Sequence, residues 1–534
     1  MALDIIISIA DILFLIALLW IIQFYINPGS NSSLSFLPAW LVDRQSVFII
    51  AVFFFLFGMK NLAGFLVSRS HYRYLGGVAI RISQNNLSQY QQSEFEQFIN
   101  KDSSSFIRSI AFQPFEFCQY LLSGVQQIIT QSFLIALTAA AIIFFNAKLF
   151  LLLLIILLPP VTVIFYFIKN RLDKTKKEIQ VANERSFQFL LDALKGYVES
   201  NIYNRNDFFM HRFIRSRKIF SKALFESISI QNIPARFIEI FAEMGLFILI
   251  AIASWSGVAD SNTLITMGAF MAAAYKIIPG IVKIINASGQ LRAYEFAAAD
   301  LTEQVKIKNS GNGKSHSQAI NSIEFKNISF SFASRPVLKN FNLSLNKGDL
   351  TGISGDSGIG KTTVINLLLG FLKPETGNIF FNNEPVSGDE IKKYWPQISY
   401  VRQQPFFIFD TISRNITLEE EGYNKDKLDN AIAVSGLAEF IAASPEGLNK
   451  IITENGKNIS GGQQQRIAIA RALYKDADLV LLDEPFNELD EASVVSILGH
   501  FRKMADTGKI VILVTHDKLS LSYCNKIISL GAQQ

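Results

Sequence analysis

Apolar residues are distributed along this chain in two regimes. Through the first half they form six long runs, approximately Leu3 to Ile26, Ser46 to Val67, Phe115 to Phe145, Leu149 to Ile168, Phe237 to Val258 and Leu264 to Ile285. Each is near or above the ~20 residues an α-helix needs to cross the hydrocarbon core of a bilayer. A soluble core could hide one such helix but hardly six, so the pattern predicts an all-α, six-helix transmembrane domain. From Ile323 onward the period shortens: Ile323-Glu-Phe-Lys-Asn-Ile328 alternates in strand fashion, and short strands then interleave with helical stretches. That half predicts an α/β domain with a partly parallel sheet. Between the two, Lys306 to Ser322 is rich in Lys, Asn, Ser and Gly, a linker composition. The expected multi-domain division is therefore 1–305 in the membrane, 306–322 as linker and 323–534 as the α/β domain.

The polar segments between the apolar runs set an orientation. Ser68 to Pro114 and Asn170 to Ile233 carry Arg69, Arg73, Arg81, Lys174, Lys176, Lys177, Arg215, Arg217 and Lys218, whereas the links Asn27 to Gln45, Asn146 to Lys148 and Ala259 to Thr263 carry few cations. The positive-inside rule then predicts a multi-pass protein of the cell membrane with both termini cytoplasmic. Ile179, Phe187, Leu190, Leu191, Leu194 and Val198 recur at helical spacing, so the spans are expected to continue into the cytosol. Gln84 to Gln92 and Asn201 to Asp207 are the expected turning points at the tips. The first run contains Asp4 and Asp11 and lacks a basic start and a cleavage site, so it does not read as a removable signal.

Composition adds limits. At 534 residues the chain exceeds one core, and its mean hydropathy of +0.27 is high for a wholly soluble protein. A net charge of +5 is small for this length and argues against nucleic acid as a partner. Cys118 and Cys524 lie far apart and offer neither a disulfide framework nor a zinc site.

The chemistry centres on Gly355-Asp-Ser-Gly-Ile-Gly-Lys-Thr-Thr363, set between strand-like Leu350 to Ser354 and a helix-like stretch from Val364. This is a phosphate loop of the form G-x-x-x-x-G-K-[ST]. Gly355, Asp356, Ser357, Gly358, Ile359 and Gly360 curl so that backbone N–H groups point at phosphate oxygens, and the next helix presents its positive end to them. Lys361 adds a cation for the β/γ-phosphates, Thr362 is placed to hold Mg²⁺, and Thr363 is the last residue of the nucleotide-binding stretch. Downstream, Asp478 to Glu484 is an apolar strand ending in two carboxylates, with Asp483 suited to organising Mg²⁺ and Glu484 to polarising a water. Together these motifs predict a P-loop nucleoside triphosphatase using Mg²⁺.

Ser460-Gly-Gly-Gln463, continuing to Leu473, opens a helix with further backbone donors. It resembles the signature motif of ATP-binding cassette (ABC) transporters, with Ile459 where leucine is commoner. The resemblance implies that Ser460, Gly461, Gly462 and Gln463 of one copy close over nucleotide held by another. It further implies that Phe332 stacks on adenine, that Gln403 contacts Mg²⁺ and water, that Asp490 signals across the dimer and that His516 contacts the γ-phosphate. Thr453 to Gly456 is similar to the exporter-type segment ahead of the signature, while Phe486 to Leu489 departs from the small residues usual there. Six spans ahead of the nucleotide domain resemble the exporter half-transporter, although the sequence begins directly in the first span, so that the family's cytoplasmic elbow helix is expected either to be lost or to lie upstream of this start. A homodimer with two competent sites is the simplest assembly; a heterodimer with a homologous chain is the alternative.

Four cations sit in or at the ends of the spans: Lys60, Arg236, Lys276 and Lys283. An unpaired cation there costs at least ~2.5 kcal/mol, so each either faces a water-filled cavity able to bind an anion, snorkels, or pairs with Asp11, Glu239 or Glu243. Lys276 and Lys283 are seven residues apart and share a helix face. Ala273 to Ile284 and Ser35 to Leu41 resemble elements of bacterial lipid-linked oligosaccharide flippases. That resemblance implies a pyrophosphate-linked glycolipid as substrate. A peptide or amphipathic-drug exporter, or a regulatory membrane ATPase that transports nothing, are the competing readings.

Overall fold

The computed structural model describes residues 2–26, 48–92, 95, 103–145, 147–255, 261–295, 318–332, 335–356 and 358–531. The chain divides into two compact units, Met1–Ser93 with Asn100–Lys308, and Glu94–Ile99 with Asn309–Gln534. Ser35 to Leu41, residues 306–317 of the expected linker, and Ser357 lie outside the described residues.

In the first unit the helices Ala2–Ile26, Phe48–Gln92, Ser123–Phe145, Ala147–Lys195, Asn206–Trp255 and Ser261–Ala293 carry most of the described residues of the apolar runs. Three of these have 45, 49 and 50 residues. At the α-helical rise they are about 70 Å long, more than twice the ~30 Å hydrocarbon thickness of a bilayer. Large apolar side chains such as Phe54, Phe55, Leu62 and Phe65 are more than 60% exposed on Phe48–Gln92, as expected of a surface solvated by lipid. The two longest helices pack along their polar halves. Ser216 Oγ donates to Ala182 O at 3.0 Å, and Arg171 pairs with Glu226 at 2.9 Å.

Two expectations shift. Gln84 to Gln92 is not a turning point: the helix runs unbroken through Gln92, because this polar stretch contains no Gly or Pro to stop it. The neighbouring Glu94–Ile99 groups with the second unit, where Phe95 stacks on Phe371 at 4.7 Å. The turn at Asn201 to Asp207 is present, with Tyr197–Ile202 ending in a left-handed Asn204 before the next helix starts at Asn206. The third run also begins earlier than its hydropathy indicates. Helical structure starts at Ser103 and passes through π-turns at Arg108–Phe112 and Phe117–Leu122 on either side of Pro114. Proline lacks the N–H that would continue the ordinary ladder, and wider turns absorb the defect.

The second unit is built on three sheets. The strands are β1 (Ser322–Phe332), β2 (Arg335–Asn346), β3 (Leu350–Ser354), β4 (Thr376–Phe381), β5 (Glu384–Val386), β6 (Ile398–Val401), β7 (Asp410–Thr411), β8 (Ile451–Ile452), β9 (Leu479–Asp483), β10 (Ile510–Val514) and β11 (Lys526–Ser529). An antiparallel sheet has the order β2-β1-β4-β5, and a parallel sheet the order β11-β3-β10-β9-β6; β7 and β8 form a small pair. The centre of the parallel sheet is apolar up to Asp483 because both of its faces are covered, and every residue of β9 and β10 is buried. A separate helical core gathers Phe407, Ile412, Ile416, Leu428 and Ile467. This core supports the helix Gly461–Lys475.

Candidate nucleotide site

Register in the parallel sheet assembles the site. Val514 pairs with Ile353 on one side and with Asp483 on the other. The C-terminal ends of β3, β9 and β10 therefore finish level, and the segments leaving them, Gly355 to Lys361, Asp483-Glu484 and Thr515-His516, emerge side by side. Ligands of open α/β sheets bind at such strand ends.

The loop after β3 turns on glycines. Gly358 has φ +80 and Gly360 +114, and a Cβ on Gly360 would stand 2.7 Å from Val337 Cγ1. Lys361 opens the helix Lys361–Leu368 and is buried; its Nζ donates to Gly355 O at 2.7 Å and Asp356 O at 3.2 Å, so the ammonium lies inside the curl of the loop. Thr362 is exposed in the first turn and Thr363 is buried. Ile359 packs against the core beneath.

Asp483 is buried at the end of β9, and burial pushes its carboxyl above the usual range; a hydrogen bond from the Tyr400 hydroxyl at 3.3 Å opposes this, and the adjacent Glu484 adds to it. Glu484 has left the strand with φ +47, a strained conformation for a residue with a side chain, and its N–H donates to Val514 O at 2.9 Å. Its Oε2 accepts two amide hydrogen bonds, from Gln403 Nε2 at 2.8 Å and Asn487 Nδ2 at 3.0 Å. Its Oε1 faces His516 Nδ1 at 3.7 Å. Gln403, Glu484 and His516 are thus brought together, with Asp483 one residue back. Phe332, at the end of β1, is 52% exposed and edge-on to Phe330, leaving a ring face available.

The signature segment begins a helix by a reciprocal cap: Ser460 N donates to Gln463 Oε1 at 3.0 Å, and Gln463 N to Ser460 Oγ at 3.3 Å. Gly461 and Gly462 pack under Glu488, whose backbone oxygen would be 2.8 Å from a Cβ on Gly462. Asp490 caps the helix Glu491–Asp506 by accepting from Ser493 N at 2.9 Å, and it also holds Arg466 at 3.1 Å. The Ser493 hydroxyl and then its backbone N–H keep that carboxyl below the usual range. Sequence reasoning overlooked Tyr400, Asn487 and Glu488. The departure of Phe486 to Leu489 from small residues was the one signal pointing to the last two.

The membrane-segment cations divide. Lys60 is ion-paired with Asp11, and Lys276 reaches the same Asp11 oxygen at 3.4 Å, so for both the pairing alternative holds. Lys276 and Lys283 line one cavity of about 410 Å³ with Asp4 and Asp11. Arg236 is exposed on Asn206–Trp255, and neither it nor Lys60 is among the described lining residues.

A phosphate loop beside a strand-end carboxylate pair, with a separately capped Ser-Gly-Gly helix, defines an ATP-binding-cassette nucleotide unit. Residues 338–487 match the ABC transporter family. The chain is 28% identical over 370 residues to an ATP-dependent lipid A-core flippase of Burkholderia orbicola (strain AU 1054), covering 68% of this chain and 62% of that protein. It is 38% identical over 228 residues to a putative export ATP-binding/permease protein of Rickettsia prowazekii (strain Madrid E), covering 42% and 39%. The matches to the flippases span less than two thirds of the relatives' length. A bacterial Atm1-family ABC exporter, solved with ATP bound, shares the fold at a TM-score of 0.79 and 16% identity, over 99% of this chain and 92% of that one. The chain therefore shares the fold of that exporter, with a helical unit preceding a nucleotide unit whose residues 338–487 match the ABC transporter family. Among the described residues, Phe48–Gln92 and Ser103–Phe144 are long and apolar enough to cross a bilayer.

Proposed function

We propose that this protein hydrolyses ATP to drive export of an anionic amphiphile, a lipid-linked oligosaccharide or related glycolipid, across the cell membrane. The observation that carries the ATPase reading is the Glu484 carboxylate, anchored through Oε2 by two amides while Oε1 stays free of amide donors. Anchoring one oxygen aims the other, as a general base requires. Backbone N–H groups from Gly355 to Gly360, with Asp356 and Ser357 in the loop, and the Lys361 ammonium bind the phosphates. Glu484 takes the proton of an attacking water, His516 donates to the γ-phosphate, and Phe332 stacks on the base. Thr362, Gln403 and Asp483 offer the oxygen donors that Mg²⁺ prefers, and the buried charge of Asp483 fits a cation. When bound, the ion neutralises phosphate charge.

Ser460, Gly461, Gly462 and Gln463 form a helix N-terminus suited to the phosphates of a nucleotide held by a second copy, with Asp490 beside it; a homodimer satisfies this most simply. The basic segments favour both termini and the nucleotide unit in the cytosol, the division 1–305, 306–322 and 323–534 being that of the working chain. Relatives named lipid A-core flippases support a lipid-related cargo, and Lys276 and Lys283 supply cations for its phosphates. The test is ATPase stimulation in proteoliposomes by lipid-linked glycans, phospholipids and peptides. Stimulation by the first, with a Glu484→Gln protein arrested as a nucleotide-bound dimer, is expected; stimulation by peptides alone would reassign the cargo.

A further inference from the structure

Asp11 carries more cationic charge than it can neutralise. Its Oδ1 is the partner of both Lys60 and Lys276, from three different helices. The two contacts are unequal. Lys60 is 11% exposed, makes the shorter contact, and lies over the rings of Phe57 at 4.7 Å and Phe14 at 5.9 Å. Ion pairing and ring contact together satisfy a buried ammonium. Lys276 is 25% exposed, is held at 3.4 Å, and opens onto the cavity. On the same wall Lys283 is exposed and has no ion pair among the described residues. The two ammonium-bearing positions are about 10 Å apart along the helix, a span that two lysine side chains can close on one phosphate. The hydroxyls of Ser8 and Thr130, which also line the space, are spent on backbone carbonyls of their own helices, leaving the lysines as the strong donors.

From this geometry we infer that Asp11 is a built-in counter-ion that a net-anionic phosphate headgroup displaces from Lys276, so that the cavity binds a lipid with such a headgroup, rather than a zwitterionic one, through Lys276 and Lys283. This deepens the cargo reading above and rests on the export function proposed there. Asp11 keeps Lys60 throughout, so no carboxylate is left unpaired when Lys276 turns to the ligand. Without a ligand, Asp11 serves as the counter-ion of Lys276 on the cavity wall. The contact therefore sets a threshold: headgroups that cannot outcompete a carboxylate do not enter.

The test is calorimetric binding of dihexanoyl phosphatidic acid, dihexanoyl phosphatidylcholine and glycerol 3-phosphate to the full-length protein in detergent, without nucleotide. Asp11→Asn should tighten phosphatidic acid binding about tenfold, the scale of one charge-assisted contact no longer competed for. Phosphatidylcholine should be unaffected, and adding Lys276→Gln should remove the gain. Should Asp11→Asn alone fail to fold, Asp11→Asn with Lys60→Gln keeps the local net charge and still frees Lys276, so the same gain is expected. Unchanged phosphatidic acid binding in both, or an equal gain for phosphatidylcholine, overturns the proposal. An equal gain for glycerol 3-phosphate upholds displacement and overturns the lipid as its source. Because no hydrolysis is read, these results stand apart from the Glu484→Gln test of the ATPase.

Discussion

Asn487 gives the sharpest test of how the nucleotide site is set. Its amide is one of two donors on Glu484 Oε2, at 3.0 Å, the other being Gln403 at 2.8 Å. Truncation to alanine removes one hydrogen bond to a carboxylate while leaving the backbone of the segment in place. Bonds to charged groups contribute about 1.5–3 kcal/mol, and both amides here are solvent-exposed, which puts this one at the low end. If that energy is spent on holding the base in position, losing about 1.5 kcal/mol lowers kcat roughly tenfold. Nucleotide affinity should stay within about twofold, since Asn487 is not part of the phosphate loop. The assay is steady-state ATP hydrolysis in nanodiscs beside equilibrium binding of a fluorescent ATP analogue. In a Glu484→Gln background the same truncation should change nothing further, because the group it positions is gone. A wild-type kcat for Asn487→Ala, or a loss appearing wholly in ATP binding, would refute the clamp.

Three further outcomes follow from the geometry. Burial raises the Asp483 pKa above its unfolded value, so this group contributes stability that is present below the unfolded value and lost as pH rises through the folded one. Asp483→Asn should therefore melt higher than the parent at about pH 7 without nucleotide, lose that advantage in acid, and fail to hydrolyse ATP. Gly462→Ala places a Cβ 2.8 Å from Glu488 O; overpacking of this kind costs about 1–3 kcal/mol, and unfolding melts should reveal it together with lost activity. Burial pushes the Cys524 thiol up to about 11, so iodoacetamide should modify it about two orders of magnitude more slowly than a free cysteine at about pH 8, and denaturant should abolish the difference.

Much of the site was legible because its chemistry depends on neighbours in sequence. The curl from Gly355 to Gly360 needs glycines at set intervals, and Gly358 and Gly360 indeed take positive φ. The Ser460–Gln463 cap is likewise a three-residue relation, which spacing alone can display. Asn487 was not legible: an amide beside a strand-end carboxylate is ordinary loop composition, and its bond to Glu484 depends on a left-handed turn at Glu484 itself. Tyr400 was hidden for a different reason, since it reaches Asp483 across a parallel pairing of strands eighty residues apart in the chain. The expected break at Gln84–Gln92 is absent because polarity by itself does not stop a helix, and the stretch holds no Gly or Pro.

Readable from the chain alone are the change from long apolar runs to short periodic elements, and the phosphate loop, through glycine spacing and one lysine. These are local properties, and local sterics and transfer free energies decide them. Only the tertiary structure decided that β3, β10 and β9 end in register, which gathers Lys361, Asp483, Glu484 and His516 on one edge. It alone decided, too, that a single Asp11 answers Lys60 and Lys276, because three helices far apart in the chain had to pack before those charges could meet.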